Sequence, residues 1–417
     1  MDFSLIATIV TIVAILTSAL VFPFALKFAR THNIVDQPNA RKLQRSPVPV
    51  FGGVVVFSGI LAGGIVLQFF FWSPMLAWIL VSIMIMMVIG TWDDIKGLSA
   101  VFRLLIEVLM VGVCIAVTGV YIDNFHGLWG IYQLDPWWAI PFSIFAGVGT
   151  INAINMIDGV DGYSSGYAMI ACVCFAIAFH TTWTPVMVCL TMISGGALLP
   201  FFMHNVFGTR SRMFIGDGGT LMLGMLLTVL AFCALSSKVG LDPLEEKGLC
   251  LPAFALAIGC IPLFDALRVM FTRMIHGKSP MKADKSHLHH LFIDMGFSHL
   301  GAAMFIIQMN ILVLLVWLLS WYLDASLDLQ LYIVIAMALA VTLGVYSLMR
   351  AQQNGGPVDE EGYPLGTQLW HLLCRLGKWT HKEDKRVWRI VRYFMDFPLL
   401  GHIARSEERR VGKECRS

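Results

Sequence analysis

Apolar runs long enough to cross a bilayer recur about eleven times along this 417-residue chain, and that repetition constrains its fold more than any other feature. About 20 apolar residues span the hydrocarbon core, where each backbone N–H and C=O has to be paired inside the protein. Runs of this length meet that requirement as helices. They cover Leu5–Leu26, Val50–Phe71, Met75–Thr91, Leu104–Val120, Trp137–Ala153, Tyr163–Phe179, Pro185–Met203, Thr220–Leu235, Leu249–Phe264, Ala302–Trp321 and Leu329–Leu348. Only 13% of residues are charged, against about 25% in a soluble domain, too few to cover a water-facing surface. The expected fold is all-α: a polytopic integral membrane protein. Collagen-like, disordered and secreted disulfide-rich architectures are excluded.

The nine cysteines are scattered, mostly within apolar runs, and form no CxxC pair, so they read as small hydrophobes. The first run has no basic segment before it and no A-x-A exit, which reads as an anchor that stays. Basic residues set the orientation. Lys27, Arg30, Arg41, Lys42, Arg45, Lys96, Arg103, Arg210, Arg212, Arg268, Arg273, Lys278, Lys282 and Lys285 fall in alternate loops, and the opposite loops hold only Lys238 and Lys247. The positive-inside rule then puts the N-terminus outside and the C-terminus in the cytoplasm. Residues 1–350 make the membrane domain. Residues 351–405 form a cytoplasmic tail, whose stretch from Trp370 to Leu400 has the mixture of an interfacial amphipathic helix. Residues 406–417 read as an unstructured polar extension.

Charge at a helix centre in the membrane costs about 2.5–3.5 kcal/mol even on the lenient insertion scale. This chain nevertheless places Asp93, Asp94, Asp158, Asp161, Asp217 and Asp265 at the ends of apolar runs, all on the cytoplasmic side of the expected topology. Clustered carboxylates repel. A divalent cation relieves that repulsion, and oxygen ligands with few carboxylates describe Mg2+, with Mn2+ an alternative. Beside basic loops, such an ion points to a phosphate-bearing substrate.

Four segments carry the chemistry. Gly90-Thr-Trp-Asp93-Asp94 offers adjacent carboxylates that can share a proton or divide into base and metal-facing roles, with Arg103 shortly after. Asn152-Ala-Ile-Asn155-Met-Ile-Asp158-Gly159-Val-Asp161-Gly162 spaces three polar side chains by three, so a helical end would present Asn155, Asp158 and Asp161 on one face. Gly216-Asp217-Gly218-Gly219, preceded by Asn205, Arg210 and Arg212, could be a plain N-cap, or a metal ligand at a helix start facing phosphate. The polar loop from Arg273 to His290 ends in His287-Leu-His289-His290, which suits recognition of nucleotide phosphate or sugar better than zinc. His126, His180 and His299 read as structural.

These segments, in order over residues 1–350, resemble the polyprenyl-phosphate N-acetylhexosamine-1-phosphate transferases of glycosyltransferase family 4. The first polar loop joins them, with Val35-Asp36-Gln-Pro38-Asn-Ala-Arg41-Lys42 and then Pro47-Val-Pro49-Val-Phe-Gly52-Gly53. The HLHH segment is similar to that of the bacterial branch using UDP-N-acetylglucosamine, which initiates O-antigen and enterobacterial common antigen. The resemblance implies transfer of N-acetylglucosamine 1-phosphate to undecaprenyl phosphate, release of UMP, and a cytoplasmic-face site in the bacterial inner membrane. It implies Asn155 and Asp217 as Mg2+ ligands, and Asp93, Asp94, Asp158 and Asp161 as catalytic acids. Lys42, Arg103, Asn205, Arg273, His287, His289 and His290 would contact the substrates. The partners implied are the sugar nucleotide, the lipid phosphate and the bilayer, with homodimerisation open and no nucleic acid. Another UDP-N-acetylhexosamine or the peptidoglycan precursor reaction is the alternative within this chemistry, and an ion-coupled transporter is the alternative outside it.

Overall fold

The structure, a computed structural model, describes residues 2–37, 47–208, 211–279, 286–353, 372–373 and 375–380. Among these, eleven helices are long and apolar enough to cross a membrane. In order they are α1 (Phe3–Thr31), α2 (Gly52–Phe70), α3 (Pro74–Lys96), α4 (Ala100–Thr118), α5 (Pro136–Met156), α6 (Tyr163–Thr181), α7 (Pro185–Phe207), α8 (Gly216–Leu235), α10 (Leu251–Ile275), α12 (His299–Tyr322) and α13 (Leu327–Gln353). Two short helices, α9 (Asp242–Glu245) and α11 (Leu288–Asp294), lie in loops. The chain is a polytopic membrane protein.

Local chemistry sets the starts. Ser73 accepts the Leu76 N–H ahead of Pro74, Ser99 accepts that of Phe102, and Asp135 accepts that of Trp137 with Pro136 in the first turn. At their other ends the helices run past the apolar segments. Hydropathy marks where hydrocarbon stops, whereas a helix continues until a residue leaves the helical region. Helix α3 extends to Lys96 and ends at Gly97, φ +69°. The site-bearing residues Asp93 and Asp94 therefore sit in its last turn, Asp217 in the first turn of α8, and Arg273 on α10.

Helix α8 is the axis. It is buried along nearly its whole length, as a helix apolar on all sides has to be, and it packs against α2, α3 and α5. Glycines allow the approach. A side chain at Gly53 of α2 would run into the backbone of Gly218 and Gly219, and one at Gly90 of α3 into the backbone of Asp217 and Gly218. Lipid offers no hydrophobic drive between helices, so such small-residue contacts and van der Waals packing hold them together. Helices α1, α2 and α7 form one flank and α10, α12 and α13 another.

At the end where α3, α5 and α7 finish, a two-stranded antiparallel ribbon forms from β1 (Val35–Asp36) and β2 (Val48–Pro49). It stitches the first loop to the entry of α8: Phe214 donates to Pro49 O at 2.8 Å, and Gly52 and Gly53 donate to Phe214 O and Ile215 O at 3.0 and 2.9 Å. A separate polar contact lies at the opposite end, with His126 Nδ1 2.6 Å from Glu245.

Candidate active site

Asp217 lies in the first turn of α8, where the N–H groups left without intrahelical partners concentrate positive potential. Asp94 answers them from α3. Its Oδ1 accepts the Asp217 N–H at 3.0 Å and its Oδ2 the Gly218 N–H at 3.1 Å, so it caps a helix distant in sequence. Asp93 faces elsewhere: its Oδ1 accepts the Leu98 N–H at 2.6 Å and its Oδ2 lies 3.1 Å from Arg103 Nη1. The adjacent acids thus hold different partners.

Asn155, in the last turn of α5, donates through Nδ2 to Asp217 Oδ1 and Thr220 Oγ1, both at 2.8 Å. Arg103 completes the cluster from α4, its Nη1 3.7 Å from Asp217 Oδ2. Its Nε lies 3.6 Å from Glu107 one turn on. Glu107 is fully buried and accepts from Asn152. The sequence reading missed Glu107, although a carboxylate in the middle of an apolar run is itself a signal.

The expected shared face of Asn155, Asp158 and Asp161 is not there. Helix α5 ends at Met156, and Gly162, φ +78°, turns the chain into α6, because two Gly-containing steps favour a turn over another helical one. Asp158 accepts from Ser164 at 2.7 Å. Surrounding protein and the nearby Asp217 and Asp161 push its carboxyl up to about 7, although the side chain opens into a cavity. Asp161 is held below the usual carboxylate range. Its burial is outweighed by His299, whose Nδ1 lies 3.2 Å away, and by Arg212. His299, which the sequence marked as structural, is therefore part of this site. Asn205 lines it too, but its amide joins two backbone segments, accepting from Gly162 at 2.7 Å and donating to Met213 O at 2.9 Å.

The histidine segment is the start of α11, not a loop. His287 Nδ1 is 2.9 Å from Asp265, which Arg268 also reaches at 2.6 Å. Arg268 in turn stacks on Tyr346 of α13. His287 and His289 stack in parallel planes. His289 is buried against Gly159 of the α5–α6 turn. Burial and the flanking histidines hold its ring well below the usual imidazole range, and thus neutral. Its Nδ1 has no hydrogen-bond partner among the described residues. Lys42, part of the 351–405 tail and the whole of 406–417 lie outside the described residues.

One cavity of about 1460 Å³ brings these groups together. Asp94, Arg103, Asn155, Asp158, Asp161, Asn205, Asp217, Arg273, His287, His289, His290 and His299 all line it, while Asp93 reaches it through its pairing with Arg103. Every one comes from the same end of the bundle. One face of α5 makes the cavity's gradient: Pro141, Ile144 and Val148 lead to Asn152 and Asn155, about 20 Å of helix from apolar to polar. Leu104 and Val108 of α4 and Leu263 and Leu267 of α10 continue the apolar part.

No three His, Cys, Asp or Glu side chains among the described residues are arranged to cage a metal ion. Mg2+ needs no such cage, since it retains waters and takes one or two protein oxygens with substrate phosphates. Asp217, with Asn155 turned to present its amide oxygen, supplies donors of that kind; which end of an amide faces a neighbour follows from its hydrogen-bond partners.

The profile of Glycosyl transferase family 4 matches residues 76–234, a stretch that holds Asp93, Asp94, Asn155, Asp158, Asp161 and Asp217. The chain is 32% identical over 291 residues to a probable undecaprenyl-phosphate N-acetylglucosaminyl 1-phosphate transferase of Bacillus subtilis, covering 69% of this chain and 77% of that protein. It is 32% identical over 286 residues to the undecaprenyl-phosphate alpha-N-acetylglucosaminyl 1-phosphate transferase of Escherichia coli, covering 66% and 73%. With the Yersinia pestis enzyme of the same name it shares 28% over 280 residues. Matches of this extent establish that the chain belongs to glycosyl transferase family 4, as a membrane phospho-sugar transferase.

Proposed function

We propose that this protein transfers N-acetylglucosamine 1-phosphate from UDP-N-acetylglucosamine to undecaprenyl phosphate, releasing UMP. The observation that carries the reading is the single cavity with Arg103, Asn155 and Asp217 at one end and an apolar wall of α4, α5 and α10 at the other. A phosphate on a long isoprenoid chain needs both. The names of the relatives support the acceptor and the transferred group.

In the reaction a lipid phosphate oxygen attacks the phosphorus that carries the sugar. The P–O bond to the other phosphate breaks, and UMP leaves with the electron pair. A phosphate monoester loses its second proton near pH 6, so the attacking oxygen is already ionised at neutral pH. What the protein has to supply is alignment and charge. Arg103 would hold the lipid phosphate, while the neutral His289 and the neighbouring His287, His290 and Arg273 would hold the sugar nucleotide. Mg2+, carried on Asp217 and Asn155, would neutralise the diphosphate. Direct transfer is favoured over a covalent aspartyl intermediate on Asp94, because both Asp94 oxygens accept backbone N–H groups of α8. By the basic-loop rule this chemistry faces the cytoplasm of the inner membrane, and its product would begin O-antigen or common-antigen assembly.

Purified protein with undecaprenyl phosphate, Mg2+ and a panel of UDP-N-acetylhexosamines tests the reading. UMP release that needs both lipid and metal, with UDP-N-acetylglucosamine preferred, is the expected result. No UMP from any sugar nucleotide would reject it.

A further inference from the structure

From the packing of the described tail segment we infer that Leu373 and residues 375–380 are a positioning element for the sugar-nucleotide half of the site, an inference that rests on the function proposed above. The segment is helical over Arg375–Thr380. Leu373 and Gly377 are buried, one turn apart, whereas Leu372, Arg375, Lys378 and Trp379 are exposed. Its inward face sits on the turn between α11 and α12. A side-chain carbon at Gly377 would lie 2.9 Å from the Phe297 ring and 3.0 Å from the Gly296 carbonyl carbon. One at Gly301 would lie 2.6 Å from Thr380, and the Ser298 N–H donates to Thr380 Oγ1 at 3.4 Å.

That turn links two parts of the cavity. Phe297 packs edge-on against Phe292, ring centroids 5.1 Å apart, and Phe292 belongs to the helix that carries His289 and His290. Ser298 caps α12, accepting the Gly301 N–H at 2.9 Å, and the next residue is His299, whose ring meets Asp161. The tail therefore presses from behind on the one turn that sets both the α11 histidines and the His299–Asp161 pair. The lipid-phosphate groups on α3, α4 and α8 have no part in this contact. Loosening the clamp should weaken sugar-nucleotide use and leave lipid use unchanged.

The test is Gly377→Leu in the full-length chain, reconstituted in lipid, with Lys378→Ala as the exposed control. The expected result is a KM for UDP-N-acetylglucosamine raised roughly tenfold, the scale of one lost hydrogen bond. The KM for undecaprenyl phosphate and kcat should stay within about twofold. Amide exchange across residues 288–301 should accelerate in Gly377→Leu and not in Lys378→Ala, a readout independent of turnover. Unchanged exchange, or a uniform loss of active protein with both KM values unaltered, would overturn the inference. Wild-type protein that releases no UMP would reject the proposed function while leaving the exchange result to decide the clamp.

Discussion

Asp94 and Asp217 touch the same helix start but fail differently. Asp94 holds two N–H groups with two oxygens. Asparagine has one oxygen, so Asp94→Asn turns an N–H toward an N–H and should cost about 1–3 kcal/mol as well as activity. Asp217→Asn keeps an acceptor for Asn155 and should abolish Mg2+-dependent turnover with little change in melting temperature. Equal thermal losses in the two variants would remove this distinction. Asp158 yields a pH prediction. Its carboxyl titrates near 7 when folded, above its ordinary value, so the folded state retains a proton that the unfolded state has already released. Ionisation therefore weakens the fold as pH rises through 7. Asp158→Asn has no charge to accommodate, and its melting temperature relative to wild type should rise between about pH 5 and about pH 8. A difference that does not change with pH would contradict the assignment.

At the scale of elements, the site depends on α3 and α5 meeting α8 closely enough for Asp94 and Asn155 to converge on Asp217, with α4, packed on α3 and α5, bringing Arg103 alongside. Gly90 lies at the tightest of these contacts, against the Asp217 and Gly218 backbone. Gly90→Ala overpacks that seam, at about 1–3 kcal/mol, and should lower both activity and melting temperature. Gly344→Ala on α13, with nothing within 4 Å of the added carbon, should change neither. If the two variants melt alike, the close seam between α3 and α8 is not what places Asp217.

For the whole molecule, the charged groups that line the cavity, Asp94, Arg103, Asp158, Asp161, Asp217 and Arg273 among them, gather at one end of the bundle. The prediction belongs to that asymmetry. Lys278, near the site end, and Lys247, at the other, are both exposed. In a background lacking Cys374 and Cys415, a membrane-impermeant maleimide should label Lys247→Cys on intact cells and Lys278→Cys only in inverted vesicles. The reverse pattern would put the cavity outside and remove cytoplasmic UDP-sugar as donor.

Much of this was legible without coordinates. Membrane helices announce themselves because hydrocarbon tolerates so few residue types and forbids unpaired backbone. The Asp and Gly segments stood out because charge beside such runs is expensive. Partnerships were not legible. Sequence could not say that Asp94 caps α8, that Asp158 and Asp161 leave the helix while Asn155 stays on it, or that His299 and Glu107 belong to the site. The reason is physical: hydropathy and turn preference are set by each residue against its solvent and its neighbours in the chain. A hydrogen bond between α3 and α8 exists only once Gly90 has let the helices close.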